Sequence, residues 1–419
     1  MKTCTRLIIT MGLLIVTGCG RKQQVTFMTG GAPHEFAFWK ELCDDFEEAT
    51  GVHVELVRSA TQTEQRKQQI QVGLRGRKPD PDVFTMDIAW VGQFAWSEWL
   101  EPLEGYGVDA SPFFRNIIEL ADRHNGALVG LPIFVDAGLL YYRADLLEKY
   151  GYDGPPETWT ELSEMAAAVQ QAERGANPDF WGFVWQGAQY EGLVCNAMEY
   201  FASAGGGFFD ADGAPVVNSA PNRRALDFMR SLIHDKQVSP PNVFTDMREE
   251  EARMLFQNGS ALFERNWPYA MQLHAREGSA VRNTFAIAVL PHFEGHESAA
   301  TLGGWHAGVS RFSDRKEDAV EFVKYLTSYE VQKKMVLELS HSPGRTDVYA
   351  DAAVAETMTG GLKDMFYSAL PRPVVPYYPQ VSTVLQKYLN AAIGAKMPAD
   401  QALAEAQKDI LQITKEYAQ

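Results

Sequence analysis

The chain has 419 residues, with 38 Lys and Arg against 54 Asp and Glu and a formal net charge of −16. That acidity argues against nucleic acid or an anionic membrane face as a partner, since both carry the same sign of charge. It places no limit on a small neutral ligand.

The first 18 residues read as a leader outside the fold. Lys2 and Arg6 make a basic start, Leu7–Val16 is an apolar run, and Val16-Thr17-Gly18 supplies small residues before Cys19. So short a run cannot span a bilayer, which predicts a cleaved export signal. Cys19 directly after Val-Thr-Gly also fits the bacterial lipobox, which predicts that Cys19 is acylated and becomes the new N-terminus. Several acyl chains on one residue anchor a protein stably. Plain cleavage after Gly18, without a lipid, is the alternative. Removing the leader from the 419 residues leaves 401, with 36 basic residues against 54 acidic and a net charge of −18. That length accommodates two or more domains. No later segment reaches eighteen uninterrupted apolar residues.

After a polar tether, 19–24, the pattern alternates. Val25–Thr29 reads as a strand, 34–50 as an amphipathic helix closed by Gly51, and Val52–Val57 as a second strand. A polar helix over Thr63–Leu74 leads into a third strand ending at Asp87. This order predicts βαβ units and a largely parallel sheet, with ligands bound beyond its carboxyl edge, where Asp87 falls. Two apolar runs within 127–143 are broken at Val135-Asp136-Ala137-Gly138, and a helical run follows from Leu140 to Gly151. The stretch 159–257 is mostly helical in pattern; 285–295 returns to strand, a helix is expected over 315–339, and Ala399–Tyr417 is a helix with Leu403, Ala406, Ile410 and Ile413 on one stripe.

Cys43 shares helical spacing with Phe36, Trp39 and Phe46, which predicts a buried filler. With Cys195 it makes two lone cysteines 152 positions apart, which is no disulfide scaffold. Phosphate-loop, nucleophile-elbow and dinucleotide motifs are absent, and no histidine spacing suggests a metal site. Paired carboxylates occur in any chain this acidic, so they point only weakly to glycosidase chemistry. The stretch Phe263–Met271 is more informative: Pro268 forbids a continuous helix, so Trp267 and Tyr269 are presented from irregular backbone.

Four segments in order, 130–151, 263–271, 303–332 and 372–386, together resemble the maltose-binding family of extracellular solute-binding lipoproteins, and most closely its trehalose/maltose-binding branch. The match runs along nearly the whole mature chain. The resemblance implies an α/β fold of two lobes joined by a three-segment hinge, with sugar enclosed in a cleft between them. The lobes would hold 25–132 plus 308–342, and 133–307 plus 343–419. A Cys43–Cys195 bridge would staple together lobes that must part, so none is expected.

A pyranose has apolar C–H faces and a hydroxyl rim, which calls for flat rings above it and charged or amide groups around its edge. By the family pattern Trp267, Tyr269 and Trp305 are the platforms, and Glu35, Asp87, Asp136 and Arg372 the rim. Gly303 and Gly304 would let backbone approach the ligand. The plain alternatives are a dipole-favouring acid at Glu35, a helix cap at Asp87, a turn at Asp136, a surface salt bridge at Arg372 and packing for the Trp residues. Tyr377 and Tyr378 read as packing, and 61–71 carries no assigned role.

The function implied is the lipid-anchored substrate-binding component of an ATP-driven importer, facing the periplasm or cell exterior. It would bind an α-linked disaccharide such as trehalose, maltose or sucrose, as a monomer without cofactor or metal. Its partners would be two permease subunits and, through them, a cytoplasmic ATPase. The alternatives are a binding protein for a glycerol phosphoester or longer oligosaccharide, and an exported glycosidase using a carboxylate pair such as Asp87 and Asp136.

Overall fold

A computed structural model describes residues 24–31, 33–210 and 212–417, without the side chains of Pro33 and His34. The leader and Cys19 lie outside the described residues. Among these residues no helix is long and apolar enough to cross a membrane.

Two sheets organise the molecule. Strands β1 (Gln24–Thr29), β2 (His53–Arg58), β3 (Val83–Asp87), β4 (Leu131–Ala137), β5 (Leu139–Arg143), β6 (Trp181–Val184), β7 (Ala261–Asn266), β8 (Phe285–Ala288), β9 (Thr301–Val309), β10 (Ser342–Pro343) and β11 (Leu370–Pro371) follow in chain order. One sheet runs β10-β4-β9-β3-β1-β2 with β11 beside β9; the other runs β8-β5-β7-β6. The first three strands are mutually parallel, as the alternation predicted. The sheet as a whole is mixed, however, because β9 lies antiparallel to both β3 and β4. β9 arrives from the other sheet rather than through a crossover helix, so the parallel rule does not bind it.

The chain passes from the first sheet to the second at Gly138, returns along β9, and after β10 crosses a third time, touching β9 through β11 before its last helices pack on the second core. These three passages are the hinge of a two-lobe α/β fold. They explain why no linker is visible in the sequence.

Each lobe has its own apolar interior. Under the first sheet, Phe27, Trp39, Phe46 and Phe322 interlock edge to face, with Phe27 and Phe322 centroids 5.2 Å apart. Around the second, Trp159 stacks on Tyr200 at 4.0 Å, and the C-terminal helices pack against the same core through Leu385, Leu389, Leu403 and Ile410. The predicted stripe on Ala399–Tyr417 is the buried one: Leu403, Ala406 and Ile410 are buried and Ile413 is partly so. Burying a leucine or isoleucine fully stabilises by about 1.5–3 kcal/mol, enough to dock the helix. Helix Pro33–Thr50 ends at Gly51, whose φ of 77° needs no Cβ.

Several sequence expectations are corrected. Leu139–Arg143 is strand, paired with β7 and β8, and helix starts only at Ala144. The stretch read as helical holds β6, parallel to β7. The helix expected over 315–339 is two, Lys316–Leu326 and Tyr329–Leu339; Ser328 breaks the run by capping the second, its hydroxyl accepting from the Val331 N–H. Cys43 and Cys195 are both buried free thiols, and burial pushes each up, Cys43 to about 12.

Candidate ligand-binding site

Glu35, Asp87, Asp136, Trp267, Tyr269, Gly304, Trp305 and Arg372 all line one cavity of about 390 Å³. Residues hundreds of positions apart meet there because the three chain passages bring both sheets to its walls.

β3 delivers Asp87 at its carboxyl end. Its Oδ1 accepts from the Ala89 N–H at 2.8 Å, capping helix Ile88–Trp96, and from Arg372 Nη2 at 2.7 Å. Asp87 is therefore both cap and cavity wall. Arg372 is 4% exposed, so it is no surface salt bridge. Its Nη1 donates to Glu191 Oε1 at 3.1 Å, and Glu191 also accepts from the hydroxyls of Tyr378 and Ser382. Tyr378, read from the sequence as packing, thus belongs to this network.

Asp136 is no turn residue either: it lies in β4 opposite Gly303 of β9. It is 8% exposed, and its Oδ1 is buried without a hydrogen-bond partner among the described residues. Burial pushes its carboxyl up to about 6; His341 opposes that rise, while Asp87 and Glu35 add to it. A buried acceptor left unpaired carries a desolvation penalty that a ligand donor relieves. His341 stacks on Phe134 at 4.0 Å and lies 3.5 Å from Glu35 Oε1.

β7 ends at Asn266, whose Oδ1 accepts from the Trp267 N–H at 2.8 Å, and Tyr141 donates to the Trp267 carbonyl at 2.7 Å. These bonds fix the backbone that carries the indole to the cavity wall. The Tyr269 hydroxyl donates to Glu250 Oε1 at 2.7 Å. Trp305 also lines the cavity, but it packs as well: Arg66 Cζ lies 4.2 Å from its ring centroid, and Trp90 meets it edge-on at 5.4 Å. The paired glycines serve protein packing more than ligand approach. Gly304 has φ 132°, and a Cβ there would come within 2.6 Å of the Phe134 carbonyl; one at Gly303 would meet Asp136 and the Trp267 ring.

Sequence reasoning missed part of the wall. Thr61, Thr63 and Arg66 come from the unassigned segment 61–71, and Tyr190, Glu191, Glu249 and His341 also line the cavity. Burial pulls Arg66 down to about 10, against Glu35 and Asp87, and its Nε donates to the Ala60 carbonyl at 3.2 Å. Glu191 and Glu249 each open a helix, where an acid is ordinarily read as favouring the dipole. The cavity therefore combines flat rings with a surplus of carboxylate acceptors and two guanidinium donors.

A cavity walled by both lobes of a hinged α/β pair defines a two-lobe solute-binding protein. The chain belongs to the bacterial extracellular solute-binding proteins, whose family profile matches residues 30–333. It is 34% identical over 395 residues to the "Probable ABC transporter-binding protein" of Deinococcus radiodurans, covering 93% of each chain. Its fold is similar to that of maltose-bound MalE3 of T. maritima, with a TM-score of 0.88 and 38% identity over 93% of this chain and 99% of that one. A solute-binding protein of Thermotoga lettingae bound with α-D-tagatose is also similar, with a TM-score of 0.85 and 26% identity over 93% and 99%.

Proposed function

We propose that this protein is the substrate-binding component of an ATP-driven sugar importer and holds an α-linked disaccharide, of trehalose, maltose or sucrose type, in the 390 Å³ cavity. The observation that carries the reading is the Asp136 carboxylate, whose buried Oδ1 has no partner among the described residues, beside the Trp267 ring at Gly303: an acceptor for hydroxyls next to a flat face for C–H groups. The likeness to maltose-bound MalE3 supports the same solute class.

On this reading Glu35, Asp87, Asp136 and Arg372 form the polar rim, and Trp267, Tyr269 and Trp305 the apolar walls. The lobes are 25–132 with 308–342, and 133–307 with 343–419. Sugar touching both favours the closed form by its differential affinity for it, and the closed form is what two permease subunits recognise. Cys19 carries the lipid that keeps the protein at the membrane.

A phosphoester is disfavoured because Arg372 is already neutralised by Asp87 and Glu191, and the carboxylates of the cavity wall outnumber its one other guanidinium, Arg66. A glycosidase using the pair Asp87 and Asp136 is disfavoured because Asp87 is held by Arg372 and a helix N-terminus. The test pairs a glucose-release assay on maltose, trehalose and sucrose with small-angle scattering at saturating sugar. Binding with no released glucose and a smaller radius of gyration is expected. Turnover would replace the importer reading with the enzyme, and an unchanged scattering curve at saturation would remove the closing step.

A further inference from the structure

Outside the cavity lies a buried ion pair that the sugar-binding reading does not use. Arg265 and Glu199 are each 1% exposed. Arg265 Nε donates to Glu199 Oε2 at 2.9 Å, Nη2 pairs with Oε1, and Nη1 reaches Gln186 Oε1 at 3.3 Å. Burial on this scale gives little net stability, because desolvating two charges offsets most of their attraction. The location of the pair is more telling than its strength.

Two chain passages between the sheets touch it. A Cβ on Gly138, between β4 and β5, would come within 2.2 Å of Glu199 Oε1 and 2.6 Å of Arg265 Nη2. The Thr301 N–H at the start of β9 donates to Glu199 Oε1 at 3.1 Å. The Cζ of the same guanidinium lies over the Trp267 ring, 4.0 Å from its centroid. A planar cation stacked on an indole holds it by charge and by shape, while its edge serves a carboxylate.

We propose that Arg265 is a positioning residue for Trp267: anchored by Glu199 at the hinge passages, its guanidinium sets the plane in which the indole faces the cavity. The affinity part of this claim rests on the sugar-binding reading; the orientation part does not. A lysine keeps the charge but cannot both stack on the ring and bind the carboxylate through two nitrogens.

Near-ultraviolet circular dichroism and calorimetry on the full chain test it. The difference spectrum between wild type and Trp267→Phe isolates the signal of that indole, and Arg265→Lys is expected to lose more than half of it while the far-ultraviolet spectrum is kept. Arg265→Lys should weaken disaccharide binding about tenfold in wild type but less than twofold in a Trp267→Ala background, since residues acting as a unit are not additive. An unchanged Trp267 signal, or equal losses in both backgrounds, overturns the proposal. If Arg265→Lys does not fold, Glu199→Gln replaces it, with the same signal loss expected and the same contrary result. If wild type binds no disaccharide, the sugar reading falls and the spectrum alone decides this one.

Discussion

Arg372 Nη2 and Asp87 Oδ1 lie 2.7 Å apart although 285 residues separate them in sequence, and Glu191 holds the other arm of the same guanidinium. One cation thus satisfies two carboxylates of the cavity wall. Removing one partner of a buried pair leaves the others uncompensated, at a cost of about 3–5 kcal/mol. Arg372→Ala should lose stability on that scale in urea unfolding, and Arg372→Lys should lose part of it. A loss below about 1 kcal/mol for the alanine variant would mean that the network is not structural.

Asp136 makes stability depend on pH in a definite direction. Its carboxyl titrates at 3.8 ordinarily and at about 6 here, chiefly through burial, so the folded state binds the proton more tightly. Stability therefore falls as pH rises from about 4 to about 6, and the full penalty, on the order of 3 kcal/mol, is present above that range. Ligand-free Asp136→Asn should melt higher than wild type at about pH 7.5, and the gap should close near pH 4. A gap independent of pH would contradict this account of the carboxyl. The same variant should bind sugar more weakly, since a charged acceptor is lost.

The two indoles should separate by what else they do. Trp267→Ala and Trp305→Ala are each expected to weaken disaccharide binding by about 1–3 kcal/mol. Trp305→Ala should also lower the melting temperature more than Trp267→Ala does, because Trp90 and Arg66 both pack on the Trp305 ring while Arg265 lies over that of Trp267. Binding within twofold of wild type for both variants would return these residues to a packing role.

What the sequence made legible follows from local physics. The strand–helix–strand start, the stop at Gly51 and the stripe on the last helix are written in periodicity and caps, which act over a few residues. The strand Trp181–Val184 was hidden because it is four residues long, and Gly182 weakens its signal. That glycine is required by contact with Ala166, where a Cβ would come within 2.6 Å. The mixed character of the first sheet was not readable, since it depends on where β9 returns from. In the site, Asp87, Trp267 and Arg372 stood in recognisable segments. Arg66 and His341 did not: their place at the cavity comes from tertiary packing on Trp305 and Phe134.

The lipid claim has its own test. If Cys19 is acylated, the wild-type protein expressed with its leader should partition into a detergent phase, and Cys19→Ser should remain aqueous. Equal partitioning of the two would leave an exported protein without an anchor.

Isothermal titration of maltose, trehalose and sucrose into wild type and Asp136→Ala decides whether this cavity binds an α-linked disaccharide. One site per chain is expected for at least one of these sugars in wild type, with binding weakened by about 1–3 kcal/mol in the variant, from loss of a charged acceptor. Saturable binding of equal strength in both proteins, or none of the three sugars bound by wild type, would contradict it.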